Sequence, residues 1–134
     1  MFFELNEMNT QLCNLLASLK NGSLAKKQKI SVKKFSQIEE FLSLLWKEGF
    51  ILGYEIDSDK NTCVFLKYSR NLSPAINTIS VLSKPGKKIY LNYNELCKLK
   101  HKNKLYIIST DKGLKSLNFC VGNKVGGLMI CAIN

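Results

Sequence analysis

The side chains that could carry a reaction are few. The chain has a single histidine, His101, and three aspartates, Asp57, Asp59 and Asp111. All four fall in stretches with turn or loop chemistry, where a general acid or base lacks a cleft to shift its pKa. No G-x-S-x-G elbow, P-loop or metal-ligand spacing occurs, and Gly126-Gly127 is too little for a phosphate-binding fingerprint. The cysteines, Cys13, Cys63, Cys97, Cys120 and Cys131, are odd in number and lack C-x-x-C spacing. They read as core or incidental thiols in a reducing compartment, not as a disulfide framework or a zinc site. The expectation is a protein that is no enzyme and holds no cofactor, metal or small-molecule substrate.

Two turns instead combine the residue types that meet a polyanion. Ser83-Lys84-Pro85-Gly86-Lys87-Lys88 puts three cations on a rigid Pro-Gly bend. Ser109-Thr110-Asp111-Lys112-Gly113 puts two hydroxyls, a cation and backbone amides after an apolar run. Hydroxyls and amides of this kind suit phosphate and 2′-hydroxyl contacts. By composition alone the second segment also reads as an ordinary turn after a strand.

Charge distribution points the same way. The net charge is +10, with ten basic and eight acidic residues up to Ser83, then ten lysines against Glu95 and Asp111 from Lys84 onward. An excess of +8 in the last part of the chain places the polyanion there. Lysines outnumber arginine nineteen to one. Lysine is a point charge rather than a planar fork, which favours phosphate contact over base-edge readout. The lysine bias and thirteen asparagines also suit an AT-rich coding genome, such as an organelle's. No run approaches the ~18 apolar residues of a membrane span. A membrane-surface binder would need a basic amphipathic helix, and the first helical stretch starts acidic. The start MFFELNEMNT has two glutamates and no arginine, unlike a secretory or mitochondrial leader, so no cleaved presequence is expected.

These residues need elements to hold them. Leu5, Met8, Leu12, Leu15, Leu16 and Leu19 recur at helical spacing, which predicts a helix to about Lys20 stopped by Asn21-Gly22. Lys20 to Lys34 holds six lysines and no acid, looping into a short strand at Ile30 and Val32. Ser36 with Glu39 fits a capping box. Ile38, Phe41, Leu42, Leu45 and Trp46 make one apolar face, ended by Gly49. Phe50–Ile56 and Thr62–Tyr68 flank turn chemistry at residues 57–61 and read as a hairpin. Ser69 to Pro74 reads as a polar linker. Strands follow at Ile76–Leu82 and Lys88–Leu91, then a short helix over Glu95–Leu99 capped by Asn94. His101 to Lys104 is a basic loop, and strands follow at Leu105–Ile108 and Leu128–Ile133. The prediction is an α+β protein of two lobes: residues 1–69, α-β-α-β-β, and residues 70–134, mainly β with short helices.

Taken in order, these segments resemble the family of the eighth small-subunit ribosomal protein of bacteria and organelles. Asn14 to Gly22 is similar to the family's first helix. Lys47-Glu48-Gly49-Phe50-Ile51 and Leu66-Lys67-Tyr68 match its K-E-G-F-I and L-K-Y. Ser83-Lys84-Pro85-Gly86 with Ile89-Tyr90, Glu95-Leu96, Ser109-Thr110 with Lys112-Gly113, and Gly126-Gly127 complete the set. No one motif is decisive; the ordered set, from about residue 7 to the C-terminus, is specific. The resemblance implies two α/β lobes and binding to the central domain of small-subunit rRNA, mostly through the C-terminal lobe. It carries an RNA-contact role onto Ser83, Lys84, Pro85, Gly86, Tyr90, Ser109, Thr110, Lys112 and Gly113, to which the turn adds Lys87 and Lys88. Three positions depart from the family. Asp111 stands where a third serine is usual, and Leu128 where a glutamate follows the Gly-Gly pair. Ser116-Leu117-Asn118-Phe119-Cys120 is more apolar and less basic than the usual helix. Such drift suits an organellar, above all a mitochondrial, ribosome, with plastid or bacterial cytoplasm as alternatives. Implied partners are small-subunit rRNA and neighbouring small-subunit proteins. The alternative function is a free RNA-binding translational regulator that uses the same surface.

Overall fold

The computed structural model describes residues 5–56, 60–83, 87–99 and 104–134, with side chains from Gln11 onward. One compact unit spans Thr10–Thr78 and the other holds Ile79–Asn134 together with the residues up to Asn9, so residues 70–78 group with the first.

The first unit follows the expected order: α1 (Leu5–Leu24, in this unit from Thr10 on), β1 (Lys29–Lys33), α2 (Ile38–Lys47), β2 (Ile51–Ile56) and β3 (Asn61–Leu66). The strands form an antiparallel sheet in the order β1-β3-β2. Ile30 pairs with Val64, Val32 with Thr62 and Ile51 with Leu66, so these side chains share the buried face. Leu12, Leu15, Leu16 and Leu19 of α1 and Ile38, Phe41, Leu42 and Leu45 of α2 are also buried. Each contributes about 1.5–3 kcal/mol relative to exposure.

Several boundaries differ from the sequence reading. α1 runs through Asn21-Gly22 to Leu24. Gly22 is a contact residue, not a stop: a Cβ there would meet Ile30 Cγ2 at 2.7 Å and Leu66 Cδ1 at 3.1 Å. The helix ends instead where Lys26 turns left-handed at φ 55°. The amide of Lys27 then donates to the Gly22 carbonyl, and that of Lys26 to Ser23. Tyr68, of the L-K-Y match, donates its hydroxyl to the Lys27 carbonyl, and burial raises its pKa. The Ser36–Glu39 capping box does not form. Gln37 occupies the N-cap of α2 and makes no side-chain cap hydrogen bond, because Phe35 and Ile38 close a turn through their backbone first. Gly49 does end α2, at φ 80°. The second hairpin strand stops at Leu66, short of the expected Tyr68. Ser69 to Pro74 is a closed turn rather than a linker: the Ser69 amide donates to the Ser73 carbonyl and Tyr68 bridges Pro74.

The second unit contains β4 (Ile79–Val81), β5 (Tyr90–Leu91), α3 (Tyr93–Leu99), β6 (Leu105–Thr110), β7 (Gly113–Ser116), α4 (Leu117–Gly122) and β8 (Gly127–Ile133). The sheet order is β4-β8-β6-β7, with β5 also pairing β8. Continuous apolar runs put β6 and β8 at its centre, where β6 is buried throughout and β8 from Leu128 on. On one face Tyr106, Ile108, Met129 and Ala132 pack with Leu96 of α3 and with Leu117 and Cys120 of α4. The strands expected at Ile76–Leu82 and Lys88–Leu91 are shorter, because only Ile79–Val81 and Tyr90–Leu91 find ladder partners on β8. β6 runs two residues past Ile108, since Ser109 and Thr110 pair with Leu114 and Gly113 of β7, a strand too short to read from sequence. The α3 cap is Asn92, not Asn94. Asn92 Oδ1 accepts from the Glu95 amide at 2.9 Å, and Glu95 Oε1 accepts from the Asn92 amide at 3.3 Å.

Candidate nucleic-acid interface

In the second sheet β5 and the end of β6 flank the start of β8, and a glycine pair lets them approach it. At the start of β8, Leu128 lies between Tyr90 of β5 and Ser109 of β6. A Cβ on Gly126 would sit 2.5 Å from the Leu91 carbonyl oxygen, and one on Gly127 would run into the Ser109 carbonyl oxygen. Only glycine lets the three backbones approach this closely. The sequence signal for this role was a glycine pair at the head of a strand, which sequence reasoning used only as a motif match.

Each expected site residue has a definite place. Ser83 is buried, and its Oγ accepts a hydrogen bond from the Ile89 amide at 3.0 Å. That bond ties together the two ends of the Pro-Gly turn, whose Lys84, Pro85 and Gly86 lie outside the described residues. Lys87 and Lys88 are exposed. Tyr90 is 59% exposed at the sheet edge. In the second turn, Ser109 and Thr110 are 2% and 4% exposed, inside β6 rather than in an open loop. Thr110 Oγ1 donates to the Gly113 carbonyl at 3.0 Å and accepts from the Lys112 amide at 3.2 Å. Gly113 sits at φ 105°, open to glycine. The outward-facing groups of this turn are Asp111 and Lys112. The hydroxyls of Ser83 and Thr110 thus bond within their turns and Ser109 is buried, while Lys87, Lys88, Lys112 and the Tyr90 ring are exposed.

The departures from the family pattern also have physical places. Leu128 is buried beside Ser109, where an ionised carboxylate would be costly. Leu117 and Cys120 of the apolar helix belong to the core. Burial pushes the Cys120 thiol up to about 11, against an opposing pull from Lys115. Lys115 lies over the Phe119 ring, 4.9 Å from its centroid. Sequence reasoning also passed over Lys124, which is exposed where α4 ends. Among the described residues no group of three His, Cys, Asp or Glu side chains could hold a metal. No helix there is long and apolar enough to cross a membrane. His101 lies outside the described residues.

Comparison with known proteins agrees with this architecture. A family model described as Ribosomal protein S8 matches residues 10–134. The chain is similar to small ribosomal subunit protein uS8 of Borrelia hermsii, 32% identical over 123 residues, covering 90% of this chain and 93% of the relative. With uS8 of Blochmanniella pennsylvanica the identity is 35% over 129 residues, covering 95% and 98%. With uS8c of Oltmannsiellopsis viridis it is 30% over 127 residues, covering 94% and 98%. The chain belongs to the ribosomal protein S8 family, whose members are structural ribosomal proteins rather than enzymes.

Proposed function

We propose that this chain is a constituent of the small ribosomal subunit that binds the central domain of its rRNA, chiefly through the Ile79–Asn134 unit. The observation that carries the reading is the register of β8, which joins the Tyr90 edge to the Ser109–Thr110 turn within the part of the chain that holds the +8 charge excess. In this reading Lys84, Lys87, Lys88 and Lys112 meet phosphates, and Tyr90 stacks on an unpaired base. Ser83, Thr110 and Gly113 hold their turns in shape, and Pro85, Gly86 and Ser109 complete the set of contact residues. Phosphate contact by lysine makes binding strongly salt-dependent. Neighbouring small-subunit proteins complete the set of partners.

The test is co-sedimentation of the full chain with small subunits at moderate salt, followed by cross-link mapping. Cross-linked peptides should come mainly from residues 79–134. A chain that stays in the supernatant while still binding a messenger would favour the free translational regulator. The same reading assigns the chain to a mitochondrial ribosome encoded by the organelle, on the strength of its lysine and asparagine bias and its apolar α4. A gene on plastid or bacterial DNA would overturn that assignment and leave the rRNA contact untouched.

A further inference from the structure

Residues 35–59 reverse the charge of the rest of the chain. They contain Glu39, Glu40, Glu48, Glu55, Asp57 and Asp59 against the single Lys47, in a protein whose net charge is +10. Glu39, Glu40, Glu48 and Glu55 are exposed. The described carboxylates Glu39, Glu40, Glu48 and Glu55 still outnumber Lys47 and Lys67, whose Nζ lies beside Gly49, which disfavours RNA and anionic lipid, so the proposed rRNA contact leaves this surface unused. Yet it carries two of the largest exposed apolar side chains, Trp46 at 56% and Leu52 at 62%.

Both exposures are built into the backbone. The buried residues of α2 are Ile38, Phe41, Leu42 and Leu45, and Trp46 lies one residue past that stripe. The sequence reading put Trp46 on the buried face, which the structure corrects. Glu39, Ser43 and Trp46 follow one another at spacings of four and three, and so form a stripe of their own along the helix. Across the Gly49 turn, the β2–β3 register shifts between Ile51 and Gly53, which leaves Leu52 without a cross-strand partner. A bulge of this kind re-aims a side chain. Tryptophans are enriched among the hot spots of protein interfaces.

We infer that the α2–β2 face is a docking surface for a lysine- and arginine-rich protein segment with an apolar anchor. Charge complementarity selects this occupant. The carboxylates steer a cationic chain, and the indole face accepts a guanidinium or ammonium. A second copy of this face would set carboxylates against carboxylates. This surface belongs to the first unit and the lysine-bearing turns to the second.

Trp46 is the only tryptophan in the chain, so its emission reports on this face alone. The full-length protein is titrated at near-physiological salt with a synthetic arginine-rich peptide interrupted by leucines. The expected result is a saturable change in Trp46 emission. Glu39→Gln with Glu48→Gln should weaken that binding at least about tenfold, a loss of roughly 1.4 kcal/mol. Polyuridylate should bind without changing the emission. A flat titration, or an unchanged affinity in the double variant, would overturn the inference. In purified small subunits, a photo-cross-linking amino acid at position 46 should capture a protein segment with an excess of lysine and arginine. Capture of rRNA, of an acidic segment or of nothing refutes the docking surface. Co-sedimentation of the same variant separately reports whether the ribosomal reading holds.

Discussion

Thr110 closes a turn with one oxygen. Its hydroxyl donates to Gly113 and accepts from Lys112, and the side chain is buried. Thr110→Ala should therefore lower unfolding free energy by about 1–3 kcal/mol and weaken rRNA binding with an unchanged salt slope. Lys112→Ala should leave stability within about 0.5 kcal/mol and flatten the slope of log K against log salt by about 0.7–0.9. Urea unfolding and titration against an rRNA fragment at several salt concentrations separate the two effects. Stability and affinity both unchanged in Thr110→Ala would show that the hydroxyl does not hold the turn. A second buried hydroxyl works in the opposite sense. Thr62 is fully buried, and its Oγ1 has no hydrogen-bond partner. Thr62→Val keeps the shape and removes the unsatisfied group, so it should raise stability by about 1 kcal/mol. A lower melting temperature in this variant would contradict the assignment.

Helix ends set the next scale. α1, α2 and α4 all stop at a left-handed residue, respectively Lys26 at φ 55°, Gly49 at φ 80° and Lys124 at φ 55°. In each, the following amide reaches back to a carbonyl five residues earlier: Lys27 to Gly22, Phe50 to Leu45 and Val125 to Cys120. Left-handed backbone costs a side-chain-bearing residue about 1–2 kcal/mol, and glycine far less. Lys26→Gly and Lys124→Gly should each stabilise the fold by about 1 kcal/mol, while Gly49→Ala should destabilise it by a similar amount. Thermal unfolding of the three variants checks the pattern, and a loss of stability in either lysine variant, or none in Gly49→Ala, would refute it. The strand counterpart is Gly127. Gly127→Ala forces β8 and β6 apart at Ser109, so it should lose several kcal/mol together with the geometry of both turns. Limited proteolysis and rRNA titration would show the joint loss.

For the whole molecule the governing quantity is where charge sits. The last part of the chain carries +8, and the described cations flanking its two turns, Lys87, Lys88 and Lys112, are exposed. Replacing these three with alanine should reduce the salt slope of rRNA binding by about 2–3, near one for each phosphate contact. Lys29→Ala with Lys33→Ala, on the exposed side of β1 in the other unit, should change it by less than one. Binding isotherms from low to moderate salt decide the matter. Equal slope losses from the two sets would move the main contact away from the second unit.

Periodicity and composition determine much of this protein without coordinates. Leucine spacing marks α1, the Ile38–Leu45 pattern marks α2, and β-branched runs mark the β2–β3 hairpin and the central strands. Burial of apolar side chains dominates those elements, and burial has a period that a sequence displays. The +8 excess and the two turns also mark the candidate interface from residue types alone. Tertiary structure decides where the described groups of those turns lie. Ser109 and Thr110 have the chemistry of RNA contacts, but pairing with a four-residue strand draws them inside. Gly22 has the look of a helix stop, but close packing against Ile30 and Leu66 makes it a helical residue. Trp46 has the hydrophobicity of a core residue, but one residue of helical rotation turns it outward. In each case the outcome depends on a partner distant in sequence or on an angle about an axis, and neither is written in the local residue order.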